Sequence, residues 1–138
     1  MNGTTQVSEA PPTVQRTDFG RVSVYFGDKN GKYPDGNQVM VRGTDTLTAF
    51  DTPLVANHIG PEFDAVELVV MGHVHEDHMA GLHRLPHAAV HVHRADLPAA
   101  LSWQGMADAF GTPEHERDQT FERLQREFFY APRPDAVA

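Results

Sequence analysis

The alternation of apolar and polar positions predicts strands early in the chain and helices later. Across residues 21–26, Val22, Val24 and Phe26 alternate with polar neighbours, the period-two pattern of a half-buried strand. Residues 27–37 are dense in Gly, Asp, Asn, Lys and Pro and predict a loop. Residues 39–42 and 46–50, joined through Gly43, Thr44 and Asp45, predict a hairpin. Residues 65–71 form an almost continuous apolar run, which predicts a strand buried on both faces, as in a sheet covered by helices. The signal between Asp51 and Gly60 fits at most a short helix.

Farther on, residues 79–85 predict a short helix stopped before Pro86, and residues 88–93 another strand. Asp96 can cap a helix running to about Phe110, with Gly111 at its carboxyl end. Thr112 and Pro113 are placed to open a last helix as N-cap and first residue. Its apolar face is Phe121, Leu124, Phe128 and Phe129. Residues 1–18 are polar, carry Pro11 and Pro12, and predict a flexible tail, leaving 19–138 for a domain. Strands followed by strand–helix alternation predict an α/β (or α+β) layered architecture.

Composition narrows the function. The chain of 138 residues has no cysteine, which excludes disulfides, thiolate-held zinc and a thiol nucleophile. Nineteen acidic residues against eleven Lys and Arg argue against a nucleic-acid or anionic-membrane surface. No apolar run approaches the roughly 20 residues that span a bilayer. The first residues have no basic and apolar leader pattern, so a cytoplasmic protein is expected. Histidine stands out, with eight of nine lying between His58 and His93.

The informative segment is His73-Val74-His75-Glu76-Asp77-His78, directly after the apolar run. Imidazole nitrogen and carboxylate oxygen are ligands for Zn²⁺ and similar divalent ions. His73 and His75, two apart in an extended segment, point the same way and can share one ion. Asp77 and His78 follow where the chain turns and can face a second. Two such ions roughly 3.5–4 Å apart polarise a substrate oxygen and supply hydroxide at neutral pH. The other histidines lack this context. His83 and His87 flank a helix end, His91 and His93 share a strand face with no carboxylate, and His58 and His115 are isolated.

Residues 69–82, Val-Val-Met-Gly-His-Val-His-Glu-Asp-His-Met-Ala-Gly-Leu, resemble the metal-binding segment of the metallo-β-lactamase-fold hydrolases. Leu47-Thr48-Ala49-Phe50-Asp51-Thr52 resembles that family's strand ending in Asp-Thr-Gly, and Asn37-Gln38-Val39-Met40-Val41 the strand before it. The resemblance covers roughly residues 20–135. It implies His73 and His75 as ligands of a first Zn²⁺, and Asp77 and His78 as ligands of a second. Asp77 would also orient the attacking water, and Asp51 would sit behind the site and position a ligand imidazole by hydrogen bonding. The implied activity is hydrolysis of a small ester or thioester-like substrate by a metal-bound hydroxide. His75 stands where flavodiiron-type relatives carry Glu, which favours the hydrolytic branch.

The pattern also departs from the family. Gly72 replaces Thr, and Pro53 replaces Gly. The family fold is an αββα sandwich of two similar halves, and a third His, a bridging Asp and a last His come from its later half. After His93 only His115 remains, in a predicted helix, so four of seven ligands are present. The chain is expected to be the N-terminal half of such a sandwich, truncated and poorly active alone. An apolar face would be left exposed where the other half packs. The alternative is a non-catalytic metal-binding or interaction module, completed through that face by a homodimer or a partner chain.

Overall fold

A computed structural model describes residues 14–138. Six strands form one mixed sheet in sequential order: β1 (Arg16–Phe19), β2 (Val22–Tyr25), β3 (Gln38–Arg42), β4 (Leu47–Phe50), β5 (Leu68–Val70) and β6 (Ala89–His91). The first four pair antiparallel, while β4, β5 and β6 run parallel. The parallel pairings need crossovers, and the helices lie there and after β6: α1 (Pro61–Asp64), α2 (Glu76–Met79), α3 (Leu97–Leu101), α4 (Trp103–Phe110) and α5 (Arg117–Phe128). The α/β class is the one expected.

Register divides the sheet into two faces. Tyr25, Met40, Ala49, Val69 and Val90 point to one face and are buried against Ala56, Phe63, Met79, Leu82, Met106, Leu124 and Phe128 in a single core. The opposite rows read Phe19, Val22, Val41, Thr48, Leu68, Ala89 and Thr17, Val24, Val39, Phe50, Val70, His91. Among the described residues these rows carry no Asp, Glu, Lys or Arg, and no layer covers them. Phe19 is 63% exposed and Phe50 42%. Val137 pairs with His91 alongside β6 and is also exposed. Three of the seven exposed large apolar side chains among the described residues, Phe19, Phe50 and Val137, therefore belong to this open side.

The structure departs from the sequence pattern in several places. Among the described residues β5 is covered on one face only: Val69 is fully buried, while Leu68 and Val70 lie on the open side. The expected tail of residues 1–18 overlaps β1, which is an edge strand of exposed residues held by pairing to β2, without an apolar period to signal it. Residues 1–13 of that tail lie outside the described residues. The helix expected at 79–85 is instead α2, starting at Glu76, followed by a 3₁₀ turn at Leu82–Arg84.

The helix expected from Asp96 is broken at Ser102. That residue is extended, and its Oγ accepts from Gly105 N at 2.9 Å, so α4 starts anew with a proper N-cap. Gly105 is required there, because a Cβ would lie 2.0 Å from the Pro98 carbonyl oxygen of α3. The last helix starts at Arg117 after a 3₁₀ turn at Glu114–Glu116, later than Thr112 and Pro113 predict. Leu124 and Phe128 are buried, whereas Phe129 caps the helix in the left-handed region and stays exposed.

Candidate metal centre

The candidate ligands stand at the carboxyl ends of the parallel strands, where open α/β sheets place their sites. β4 ends at Phe50 and delivers Asp51, while β5 ends at Val70 and delivers His73 two residues after Met71. His75 is the N-cap of α2, and Asp77 and His78 lie within that helix. The turn is fastened from beneath by Thr52, which is fully buried. Its Oγ1 donates to the His78 carbonyl at 3.0 Å, and its backbone N–H donates to the same oxygen at 2.9 Å. Gly81 N–H returns to the Thr52 carbonyl at 2.9 Å, and a Cβ on Gly81 would lie 2.8 Å from the Ala56 Cβ.

These restraints bring three imidazoles together. The ring centroids of His73 and His75 are 5.6 Å apart, and those of His73 and His78 are 5.2 Å apart. The Asp77 carboxylate reaches into the same space, with Oδ1 3.5 Å from His75 Nδ1 and Oδ2 3.7 Å from His78 Nε2. Three imidazoles and a carboxylate grouped at the strand ends are of the donor types that suit a divalent cation, although among the described residues the ligand atoms that fall within 4.8 Å of one another leave out His73 and His78.

Asp51 stands behind this group. Its backbone is left-handed, with φ 60°, a conformation that Asp tolerates when its side chain bonds locally. Its Oδ1 accepts from Gly72 N at 2.8 Å, and its Oδ2 lies 3.0 Å from His78 Nδ1. Gln38, buried on β3, donates to the Asp51 carbonyl at 2.9 Å. The hydrogen bond to Asp51 raises the His78 imidazole above the ordinary histidine range, despite burial. Packing does not require glycine at position 72, since a Cβ there would make ordinary contact with Asp51 at 3.5 Å.

Two participants escape a reading of the sequence alone. Glu76 is only 5% exposed, and its carboxylate lies against His75 Nδ1. Ligand atoms of His75, Glu76 and Asp77 all fall within 4.8 Å of one another. Tyr33, from the loop between β2 and β3, donates its hydroxyl to Glu76 Oε2 at 3.2 Å. Burial pushes the Glu76 carboxyl up, but His75, its own backbone N–H and Tyr33 outweigh this and hold it below the ordinary range. The acid inside the motif was the signal available for Glu76, whereas nothing in sequence pairs Tyr33 with it. A polar cleft of about 230 Å³ opens beside Asp77 and His78, lined further by Tyr33, Asp35, Asn37 and Asp51.

The remaining histidines stay apart from this group. His83 Nε2 bonds Asn57 Oδ1 at 2.6 Å, and His87 Nε2 bonds the Val66 carbonyl at 3.1 Å. His58 and His115 are exposed, and His91 and His93 lie on β6 and just beyond it.

No family model and no curated protein matches the sequence. Solved structures do match. A B3 metallo-β-lactamase with an active-site glutamic acid superposes with a TM-score of 0.51 at 15% identity, covering 73% of this chain and 41% of that one. The Rm3 metallo-β-lactamase gives 0.46 at 20% identity, over 61% of this chain and 34% of that one. AidC, a dizinc quorum-quenching lactonase, gives 0.46 at 13% identity, over 88% and 59%. The chain thus spans between a third and three fifths of these solved chains. The strand order, the site at the carboxyl ends of β4 and β5, and the superposition agree that this chain has the metallo-β-lactamase fold over the part of the domain it spans.

Proposed function

We propose that the chain is the metal-binding part of a hydrolase of this fold, acting on a small ester or thioester-like substrate. The observation that supports the reading is the grouping of the His73, His75 and His78 rings and the Asp77 carboxylate at the strand ends. His73 and His75 would hold one Zn²⁺, and Asp77 and His78 a second. A divalent ion bound there supplies polarisation of a substrate carbonyl and a more acidic water. Asp77 would accept a hydrogen bond from such a water through a carboxylate oxygen and would aim it at the carbonyl carbon. Asp51 Oδ2 holds the His78 Nδ1 proton, so that Nε2 is free to face the cation. Glu76, fixed by Tyr33, buttresses the His75 ring.

Two ligands per ion fall short of the usual three or four, so the described chain by itself binds metal weakly and hydrolyses slowly. Further ligands come from whatever layer covers the open sheet face. The test is zinc titration with assay of thioester, lactone and β-lactam substrates side by side. Zinc-dependent hydrolysis lost in the Asp77→Ala variant supports the reading. Metal-independent turnover, or turnover unchanged in that variant, overturns it.

The open face favours a second reading, a metal-binding interaction module completed by a second copy or a partner chain. Light scattering that gives twice the monomer mass, with bound zinc and no hydrolysis, would favour it over the first.

A further inference from the structure

We propose that Phe110 is a positioning residue for the candidate ligand His75, an inference that rests on the metal-binding reading above. Phe110 is the last residue of α4, 35 positions along the chain from His75. Its ring centroid lies 4.3 Å from that of the imidazole, with the planes 27° apart. This is a stacked arrangement, closer than the His73–His75 stack at 5.6 Å and 28°. His75 has backbone restraint from its place as N-cap of α2, but its side chain is about one-third exposed and needs a wall to fix χ2.

The position of Phe110 is itself built. Gly111 follows in the left-handed region, and its N–H returns to the Ala107 and Asp108 carbonyls, ending the helix just past Phe110. Arg117 locks the turn, pairing with Asp108 at 2.9 Å and donating Nε to the Thr112 carbonyl at 2.9 Å. At the other end, Gly105 lets α4 close onto α3 where any Cβ would collide. A residue 40% exposed at the end of a helix fastened at both ends contributes little to the core, yet it covers one ligand ring. The stack restricts the imidazole to one orientation before metal arrives, so less rotamer freedom is lost on binding.

The test compares Phe110→Ala, Phe110→Leu and Phe110→Tyr. Proton NMR of metal-free protein reads the His75 ring signals, and competition with a chromophoric chelator reads Zn²⁺ affinity. Expected are upfield-shifted His75 signals in the parent and in Phe110→Tyr, and a return towards unstacked values in Phe110→Ala and Phe110→Leu. Zinc affinity falls about tenfold in Phe110→Ala and recovers in Phe110→Tyr, a loss typical of removing a group that orients a ligand. Leucine keeps apolar bulk without a ring, so a merely structural role predicts recovery with Phe110→Leu. Unchanged His75 signals in Phe110→Ala, or recovery of affinity by leucine, overturns the proposal. Parent protein that shows the ring shift but binds no zinc overturns the hydrolase reading and not the stack.

Discussion

The two faces of the sheet are built from the same kind of side chain and meet different fates. On one, Met40, Ala49, Val69 and Val90 lie under helices and are almost fully buried. On the other, Val39, Val41, Phe50 and Val70 meet only their neighbours in the sheet among the described residues. At roughly 25 cal/mol per Å² of apolar area, an uncovered row forgoes most of the stabilisation that the covered row gains. An exposed apolar surface of this kind is suited to packing against another layer or chain. The candidate site lies at the rim between the two faces, since Phe50 and Val70 on the open side lead directly into Asp51 and the His73 loop. A layer placed on the open face would also border the candidate ligands.

The sharpest way to break this comparison is to place the same charge on each face. Met40→Asp buries an unpaired carboxylate and is expected to cost on the order of 5 kcal/mol, enough to unfold a domain of ordinary stability. Val41→Asp, one residue away on the open side, is expected to cost under about 1 kcal/mol. Urea unfolding measures both, and equal losses would mean that the open face is covered in solution.

Next in size is Gly105→Ala. Its new Cβ collides with backbone rather than with a flexible side chain, so about 1–3 kcal/mol of overpacking is expected in the helical layer. A melting curve matching the parent's would show that α3 and α4 are not in close contact.

Tyr130 gives a pH-dependent test of the covered side. Burial raises its hydroxyl to about 12, and that hydroxyl has no hydrogen-bond partner among the described residues. The native phenol keeps its proton where the unfolded one loses it. Its contribution is therefore complete below about pH 10 and is lost as pH rises towards 12, at about 1.4 kcal/mol per unit. Tyr130→Phe should match the parent to within about 1 kcal/mol at neutral pH and lack this particular alkaline decline. An identical alkaline profile in both proteins would contradict the burial.

The smallest stability effect is expected for Phe50→Asp on the open face, within about 0.5 kcal/mol, with self-association reduced. Sedimentation that is unchanged by this substitution would mean that the face does not mediate association.

The strands from β2 to β6 were legible because a period of two, or an unbroken apolar run, is a tertiary requirement written locally. The run at residues 65–71 predicts burial on both faces, whereas the described residues cover only one. β1 was not legible, since an exposed edge strand is held by backbone pairing and needs no apolar side chains. The helical region was legible in outline only. Ser102 reads as an ordinary helix residue until its hydroxyl is seen capping α4. α2 was displaced because its four residues are drawn from the site motif and not from an amphipathic pattern.

Within the site, spacing and motif placed His73, His75, Asp77, His78 and Asp51 near one another. Tyr33 and Phe110 could not be found that way. They arrive from a loop more than 40 residues before Glu76 and from a helix end 35 residues after His75. Side chains of that kind join a site through packing, which leaves no local signature.

The central claim is that the His73–His78 segment holds metal. The most direct measurement is zinc content by atomic emission on protein equilibrated with excess zinc and corrected for free metal, for the parent and for His75→Ala. The account predicts about one or more zinc ions per parent chain and a clear loss in the variant. Parent protein without bound metal, or a His75→Ala variant that retains all of it, would contradict the account.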